Sequence, residues 1–417
     1  MRIWVIAAAF ALFASPAAAA TCDPAQYGAK ADGVTRDTAA IQAAIDACAA
    51  AGGGTVTLTQ GTYLSAPVIL KSNITLDVAE GATLLGSPDH GDYPAITVFR
   101  APGRQSLISA TNAHDVAITG KGTIDGNGKS WWTDANGKRP SGVMGEIVFR
   151  PRLIVFDHCT HVRISGVTVQ NSPSWQIVPY YSSDVAISHI KVLAPPDSPN
   201  TDAIDPFASS HVRIDHVMAD TGDDNIAIKS GAINSPGPDD AARDIVITDC
   251  TFLHGHGLSI GSELAGGAED IHAERIAFTG TDQGIRIKAN RDRGHDVGNI
   301  SFKHITMIAV KTAILISEYY PNVEPPAGNA PAAIGRLTPF FHDITIEDVT
   351  APGGKVAAVV YGLPESPVKG LVLRHIRIVA EKGMVISDAE AVLDDVKVTA
   401  AQGQAIDVRP SAKVTIH

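Results

Sequence analysis

A short pattern of a polar residue, Val or Ile, any residue, then Ile or Val recurs along most of this chain. It stands as HDVAIT from residue 114, THVRIS from 160, SDVAIS from 183, SHVRID from 210, RDIVIT from 243, EDIHAE from 269, GNISFK from 298, HDITIE from 342 and KGLVLR from 369. Neighbouring copies lie mostly 23 to 33 residues apart, and two gaps of 44 and 46 look like doubled units. Each unit holds two or three short alternating strands separated by Gly, Asn, Asp or Pro. Such a unit cannot make a sheet alone and buries its inward side chains only by stacking on its neighbours. A parallel β-helix satisfies this; a propeller would need four strands in each unit of about 40 residues. With 45% apolar residues, 18% charged, 38 glycines and 25 prolines, the composition suits many short strands and turns. The expectation is an all-β solenoid forming one domain over residues 21–417.

Helical signal is confined to 35-TRDTAAIQAAIDACAAAGGG-54, where Asp37 or Thr38 can cap, Ile41 and Ile45 share a face, and glycines end the run. A helix there would cover the open end of the first coil, whose strand edges would otherwise be unpaired. Residues 1–20 carry one basic residue, an apolar stretch and Ala18-Ala19-Ala20, the pattern of a cleaved secretory signal. A secreted or periplasmic location is expected, with no membrane anchor. Export permits disulfides among Cys22, Cys48, Cys159 and Cys250. Cys22 and Cys48 flank the helix and could clip the N-terminus down, while Cys159 and Cys250 suit buried thiols equally well. The formal charge of −11 becomes −12 once Arg2 leaves, so no basic stripe exists for nucleic acid.

Five strands align: 203-AID-205, 225-NIAI-228, 257-GLSI-260, 284-GIRI-287 and 313-AILI-316. Their second residue points inward, so Asp205, Ala227, Ser259, Arg286 and Leu315 form one outward column. Asp202, Asp224, His256 and Gln283 form a second column just before it, and Lys229, Gly261, Lys288 and Ser317 follow. At about 4.8 Å per coil, Asp202, Asp223, Asp224, His256, Arg286 and Lys288 gather within roughly 15 Å. Singly, each has a bland explanation: an aspartate closing its own turn, an exposed turn histidine, cations pairing with nearby acids. Together they are three carboxylates, an imidazole and two cations on one face. Neighbouring carboxylates cannot all ionise comfortably, so one can keep a proton while another stays charged. Glycoside hydrolysis needs that division, although the same oxygens could bind a metal.

The residues Asn200-Thr201-Asp202, Gly222-Asp223-Asp224, Gly255-His256-Gly257 and Arg286-Ile287-Lys288 resemble, in order, the four motifs of the polygalacturonases, glycoside hydrolase family 28. The stretch 26-QYGAKADGVTRDTAAIQAAIDAC-48 is similar to the start of many secreted pectin-degrading β-helix proteins. The resemblance implies a right-handed parallel β-helix and inverting hydrolysis of α-1,4 bonds in polygalacturonate, pectin or oligogalacturonides, by a monomer without a cofactor or metal. It implies Asp223 as general acid, Asp202 and Asp224 as holders of the water, and His256 as support for the proton balance. It implies Arg286 and Lys288 as ligands of the galacturonate carboxylate, with Asn200 and the tyrosine of 317-SEYY-320, taken as Tyr319, in the substrate site. Lys229 aligns with Lys288 but falls outside the motif.

Two other functions stay open: a Ca²⁺-dependent pectate lyase on the same fold, and a β-helix that only binds polysaccharide. Endo action, or hydrolysis of another pectin backbone, is the alternative to a lean towards exo action. The insertions 127–152, 232–244 and 319–341 are long enough to wall one end of a groove, and Trp131 and Trp132 could stack on sugars or simply pack their loop. Coil spacing alone would set the carboxylates about 5 Å apart, nearer the range of retaining enzymes than the inversion the family implies.

Overall fold

The computed structural model describes residues 20–138 and 148–417. The expected leader thus lies outside the described residues apart from Ala20, as does the middle of the 127–152 insertion.

The recurring motif builds one continuous parallel sheet. Val116, Val162, Val185, Val212, Ile245, Ile271, Ile300, Ile344 and Leu371 follow each other in register, one per coil, and point inward. The residue just before each is the corner of the coil. Asp115, His161, Asp184, His211, Asp244, Asp270, Asn299 and Asp343 all have φ between 49° and 59°. Asp, Asn and His tolerate this left-handed conformation better than other side chains, which explains why the polar place of the motif is filled by so few residue types.

Two further parallel sheets complete each coil. The sheet that carries the candidate site runs through Ile108–Thr111, Ile154–Asp157 and Ile177–Tyr180, crosses isolated bridges at Ile204 and Phe207, and continues through Ile226–Ile228, Leu258–Gly261, Gln283–Lys288, Thr312–Ser317 and Val356–Tyr361. The third follows each corner, as at Thr123–Asp125, Thr168–Gln170 and Lys191–Leu193. Inward side chains from all three merge into one apolar core running from Ile41 to Leu393. The architecture is the expected parallel β-helix.

The two long gaps are not doubled units. The strand at His114 pairs directly with that at Thr160, and Asp296–Ile308 pairs directly with Phe340–Pro352. Each gap is one coil carrying a long insertion on the side of the candidate site.

Helix α1, Thr38–Ala50, buries Ile41, Ala44, Ile45 and Cys48 over the first coil. Its capping differs from expectation. Asp37 makes no side-chain cap bond; its carboxylate accepts instead from the amides of Lys30 at 2.7 Å and Ala31 at 2.9 Å. Thr38 Oγ1 accepts from the Ala66 amide at 2.8 Å. Both side chains tie the helix to neighbouring segments. Cys48 forms a disulfide with Cys22, while Cys159 and Cys250 are buried thiols.

Candidate active site

Ile226, Leu258, Ile285 and Ile314 stand in one inward row, and Ala227, Ser259, Arg286 and Leu315 in the outward row beside it. The register is the one expected from the five aligned strands. It extends upstream through Ile204, Ile177 and Ile154, which brings Trp175 and Arg152 into the column of Asp202 and Asp224. Although these side chains leave the core, Asp202, Asp205, Asp224, Lys229 and Lys288 are no more than 5% exposed. Segments 232–240 and 319–341 rise over the sheet and leave a cavity of about 470 Å³ between them.

Three groups of charges line it. Asp224 accepts from Lys288 Nζ at 2.7 Å, Arg286 Nη1 at 3.1 Å and Ser259 Oγ at 2.8 Å. Burial alone would raise its pKa, but Lys288 and Arg286 outweigh burial and hold the carboxyl below the usual range. Lys288 is pushed down from its ordinary value by burial and the Arg286 charge.

Asp223 faces His256, with Oδ1 3.1 Å from Nδ1, and Asn200 Nδ2 donates to its other oxygen at 3.4 Å. Burial opposes ionisation, yet the hydrogen bond and charge of His256 keep Asp223 below its ordinary pKa. The same bond outweighs burial at His256 and raises the imidazole. The pair therefore shares one proton, resting on the ring.

The third group was not expected. Lys229 sits 3.2 Å from Glu263 and 3.8 Å from Asp202, with Asp205 beside them. Burial, with repulsion from neighbouring carboxylates, raises both Asp202 and Asp205 well above the usual carboxylate range. Glu263, paired with Lys229, is held down at about 2 despite its burial. Neither oxygen of Asp205 has a hydrogen-bond partner among the described residues, whereas Asp202 faces the Lys229 ammonium with Oδ2 and leaves only Oδ1 unpartnered. One proton shared by the two aspartates therefore belongs on Asp205, and Asp202 carries the charge.

The expected set Asn200, Asp202, Asp223, Asp224, His256, Arg286 and Lys288 thus lines one cavity. Tyr319 does not join it. Its ring packs with Val359, Tyr361 and Leu363, and its hydroxyl donates to Gly362 O at 3.0 Å. Tyr320 takes the place instead, with Lys288 Nζ 5.3 Å and Arg286 Cζ 5.8 Å from its ring centre. Trp131 is buried against His90 at 3.5 Å, and Trp132 donates to Ser172 O at 2.9 Å; both pack their loop. The aromatic face in the cavity is Trp175, with Lys229 Nζ 4.8 Å from its centre. Extending the strand alignment two coils upstream, to 174-SWQIV-178 and 151-PRLIV-155, would have found Trp175 and Arg152. Nothing comparable marks Glu263, which reaches Lys229 from a turn.

Oxygens of Asp223 and Asp224 and a nitrogen of His256 lie within 4.8 Å of one another, a spacing that could hold a metal ion. The donor set argues against it. Asp224 is already in contact with two cations, whose charge would repel a divalent ion at the same carboxylate.

The chain is similar to known proteins along most of its length. The model of "Glycosyl hydrolases family 28" matches residues 50–414. A "Probable polygalacturonase" of Vitis vinifera is 33% identical over 376 residues, spanning 84% of this chain and 73% of the relative. An "Endo-polygalacturonase" of Pectobacterium carotovorum subsp. carotovorum is 30% identical over 339 residues, spanning 77% and 79%. The crystal structure of a hyperthermoactive exopolygalacturonase from Thermotoga maritima superposes with a TM-score of 0.77 at 26% identity, covering 95% of this chain and 90% of that one.

Proposed function

The chain belongs to glycosyl hydrolase family 28, and from that premise we propose a polygalacturonase that removes sugars from one end of galacturonan with inversion. Hydrolysis of pectin in the polygalacturonase manner follows from the family and its relatives. The division of labour rests on the three charge groups.

In the proposed reaction, the proton shared by His256 and Asp223 passes to the glycosidic oxygen through Asp223 as the bond from that oxygen to C1 breaks. A water adds its oxygen to C1 and gives a proton to Asp202, whose Oδ1 has no hydrogen-bond partner among the described residues. Asp224, kept ionised by Lys288 and Arg286, orients the second hydrogen of that water. Exchange with solvent then returns the proton to the His256 pair. Arg286 and Lys288 receive the sugar carboxylate, the guanidinium as a planar fork and the ammonium as a point charge. Their charge favours a uronate beside the cleaved bond, and Tyr320 closes that subsite. Inversion rests on the family resemblance alone. Anomer-resolved NMR of the first product checks it, and a retained anomer overturns it.

Relatives of both exo and endo type resemble this chain to a similar degree, so identity does not choose between them. The observation that carries exo action is an antiparallel hairpin, Ala95–Val98 with Ala101–Arg104. Its tip lies on the sheet just upstream of the cavity. The Phe99 ring stacks 4.3 Å from Tyr180 and 5.7 Å from Phe207, filling the face along which a longer substrate would run. Arg100 fastens the tip to the far wall through Pro238 O at 3.0 Å and Asp239 at 3.3 Å. Product profiling on polygalacturonate tests this: galacturonate alone from the first minutes is expected, and mixed oligomers defeat it. Asp223→Asn is expected to lower kcat by about 10²-fold or more; full activity would sink the assigned acid. A secreted or periplasmic location is supported by the Cys22–Cys48 disulfide, since cytosolic thiols stay reduced.

A further inference from the structure

Beyond Arg286 the outward row of the site sheet continues in register through Leu315, Val359, Val385 and Asp407. These residues floor a second cavity of about 560 Å³, which begins at Gln283 on the coil of Arg286 and runs away from the hairpin plug. One wall comes from Val323 and Glu324, a segment tied to the sheet by the Ser317 hydroxyl donating to Val323 O at 2.7 Å. The floor of the groove therefore begins one coil step from Arg286, on the unblocked side of the proposed active site.

Its chemistry differs from that of the active site. Leu315 and Val359 present an apolar floor, 5% and 8% exposed; Arg286 adjoins Leu315, but the row neighbours of Val359 are the uncharged Leu315 and Val385. Gln283 Oε1 is a buried acceptor without a partner among the described residues; a sugar hydroxyl can satisfy it. The acids near the groove, Glu324 and Asp407, repel free carboxylates, although Asp407 is paired to Arg409 at 3.1 Å. At the far end stands Lys382, exposed and with no ion pair among the described residues. It lies three coil steps beyond Gln283 in the neighbouring column, about 14 Å away at ~4.8 Å per coil. An uncharged pectic unit suits the floor, and an ionised one suits only the end.

We propose that this groove binds the part of the pectic chain that remains after each cleavage, seating methyl-esterified units on Leu315 and Val359 and a free galacturonate at Lys382. This inference rests on the polygalacturonase reading. The enzyme then requires a free carboxylate at the cleaved bond but accepts esters farther along the chain, because a methyl ester over Val359 buries apolar surface while a bare carboxylate there is desolvated without a counter-charge.

The test compares kcat/KM on digalacturonate, unesterified hexagalacturonate, and a hexamer esterified only at the units lying over the floor. Wild type is expected to favour both hexamers over the dimer by about tenfold, with the esterified hexamer at least equal to the plain one. Lys382→Glu, on the surface, is expected to remove most of the hexamer advantage and leave the dimer unchanged; Val359→Lys, which puts a counter-charge on the floor, should make the plain hexamer the better of the two. Equal kcat/KM on dimer and hexamers in wild type, a penalty for the esters, or a Lys382→Glu effect equal on dimer and hexamer would each overturn the groove. If wild type hydrolyses none of these substrates, the polygalacturonase reading fails, a different result from active enzyme blind to chain length. Dimer activity also reports folding, and Lys382→Glu decides the matter should Val359→Lys lose it.

Discussion

Asp202 and Asp205 lie on one short segment, yet Asp202 carries a charge and Asp205 holds the proton. The sequence revealed Asp202 through its motif and Asp205 only as one member of an outward column. Their states depend on Lys229 and Glu263, which come from two other coils, so no local pattern could reveal them. Lys229 looked dispensable for the same reason: its alignment with Lys288 said nothing about the acids around it. The signs are testable by pH profile. Asp202 must be ionised to accept a proton, and its raised pKa means that this form is lost as pH falls through a value above the ordinary 3.8. His256 must hold a proton, which is lost as pH rises through a value above the ordinary 6.5. The kcat/KM profile should therefore be a bell with both limbs above those of unperturbed Asp and His. Lys229→Met removes the charge that favours ionised Asp202, and the acid limb should move up. Asp205→Asn replaces an already neutral carboxyl with a neutral amide, so the acid limb should stay close to that of wild type with kcat largely retained. Asp202→Asn should cost about 10²-fold or more in kcat. An acid limb that stays put in Lys229→Met, or that moves well down in Asp205→Asn, would refute the assignment.

At the scale of elements, the strands were legible because each inward Val or Ile is forced by register, and a slip of one residue would expose the whole row. Full burial of one such side chain contributes about 1.5–3 kcal/mol. The insertions were legible as length but misread as doubled coils, since periodicity counts residues and cannot tell whether they re-enter the sheets. Helix α1 was legible from its apolar face and terminal glycines, its tethering was not, because Asp37 and Thr38 bond to segments brought near only by folding. A solenoid couples each coil mainly to its neighbours, so losing the Cys22–Cys48 link should act locally. The bond closes a loop of 26 residues, for which chain entropy gives about 3 kcal/mol. Cys48→Ser is expected to speed amide exchange in Gly54–Leu58 and Ile74–Val78 while leaving the strands around Ile271 and Ile300 protected. Uniform acceleration along the chain would show that the cap is coupled to the whole solenoid.

For the whole molecule, the substrate path is set by what stands on the site sheet at each end: the hairpin tip upstream and the open groove downstream. The long insertions were visible in the sequence as possible walls, but the hairpin was not, because 95-AITVFRAPGR-104 lacks the Asn-Gly or Asp-Gly pair that marks a tight turn. Phe99 and Arg100 adopt φ of 52° and 63° at the tip, a conformation that costs side chains with a Cβ roughly 1–2 kcal/mol each. The turn is held by what those side chains touch: the Phe99 ring on Tyr180 and Phe207, and the Arg100 guanidinium on Asp239 and Pro238. Replacing both residues together, Phe99→Asn with Arg100→Gly, supplies the pair such a turn prefers, so the backbone relaxes in place while the plug is withdrawn. The lost ion pair is half exposed on the arginine side and contributes at most about 1 kcal/mol. The hairpin should therefore stay folded and the melting temperature change little. What should change is the product: the first-minute digest of polygalacturonate should pass from galacturonate alone to a mixture of oligomers, with a steeper fall in viscosity for each bond cut. If the double variant still releases only the monomer, the closed end belongs to the 232–240 wall and Phe99 is no more than its buttress.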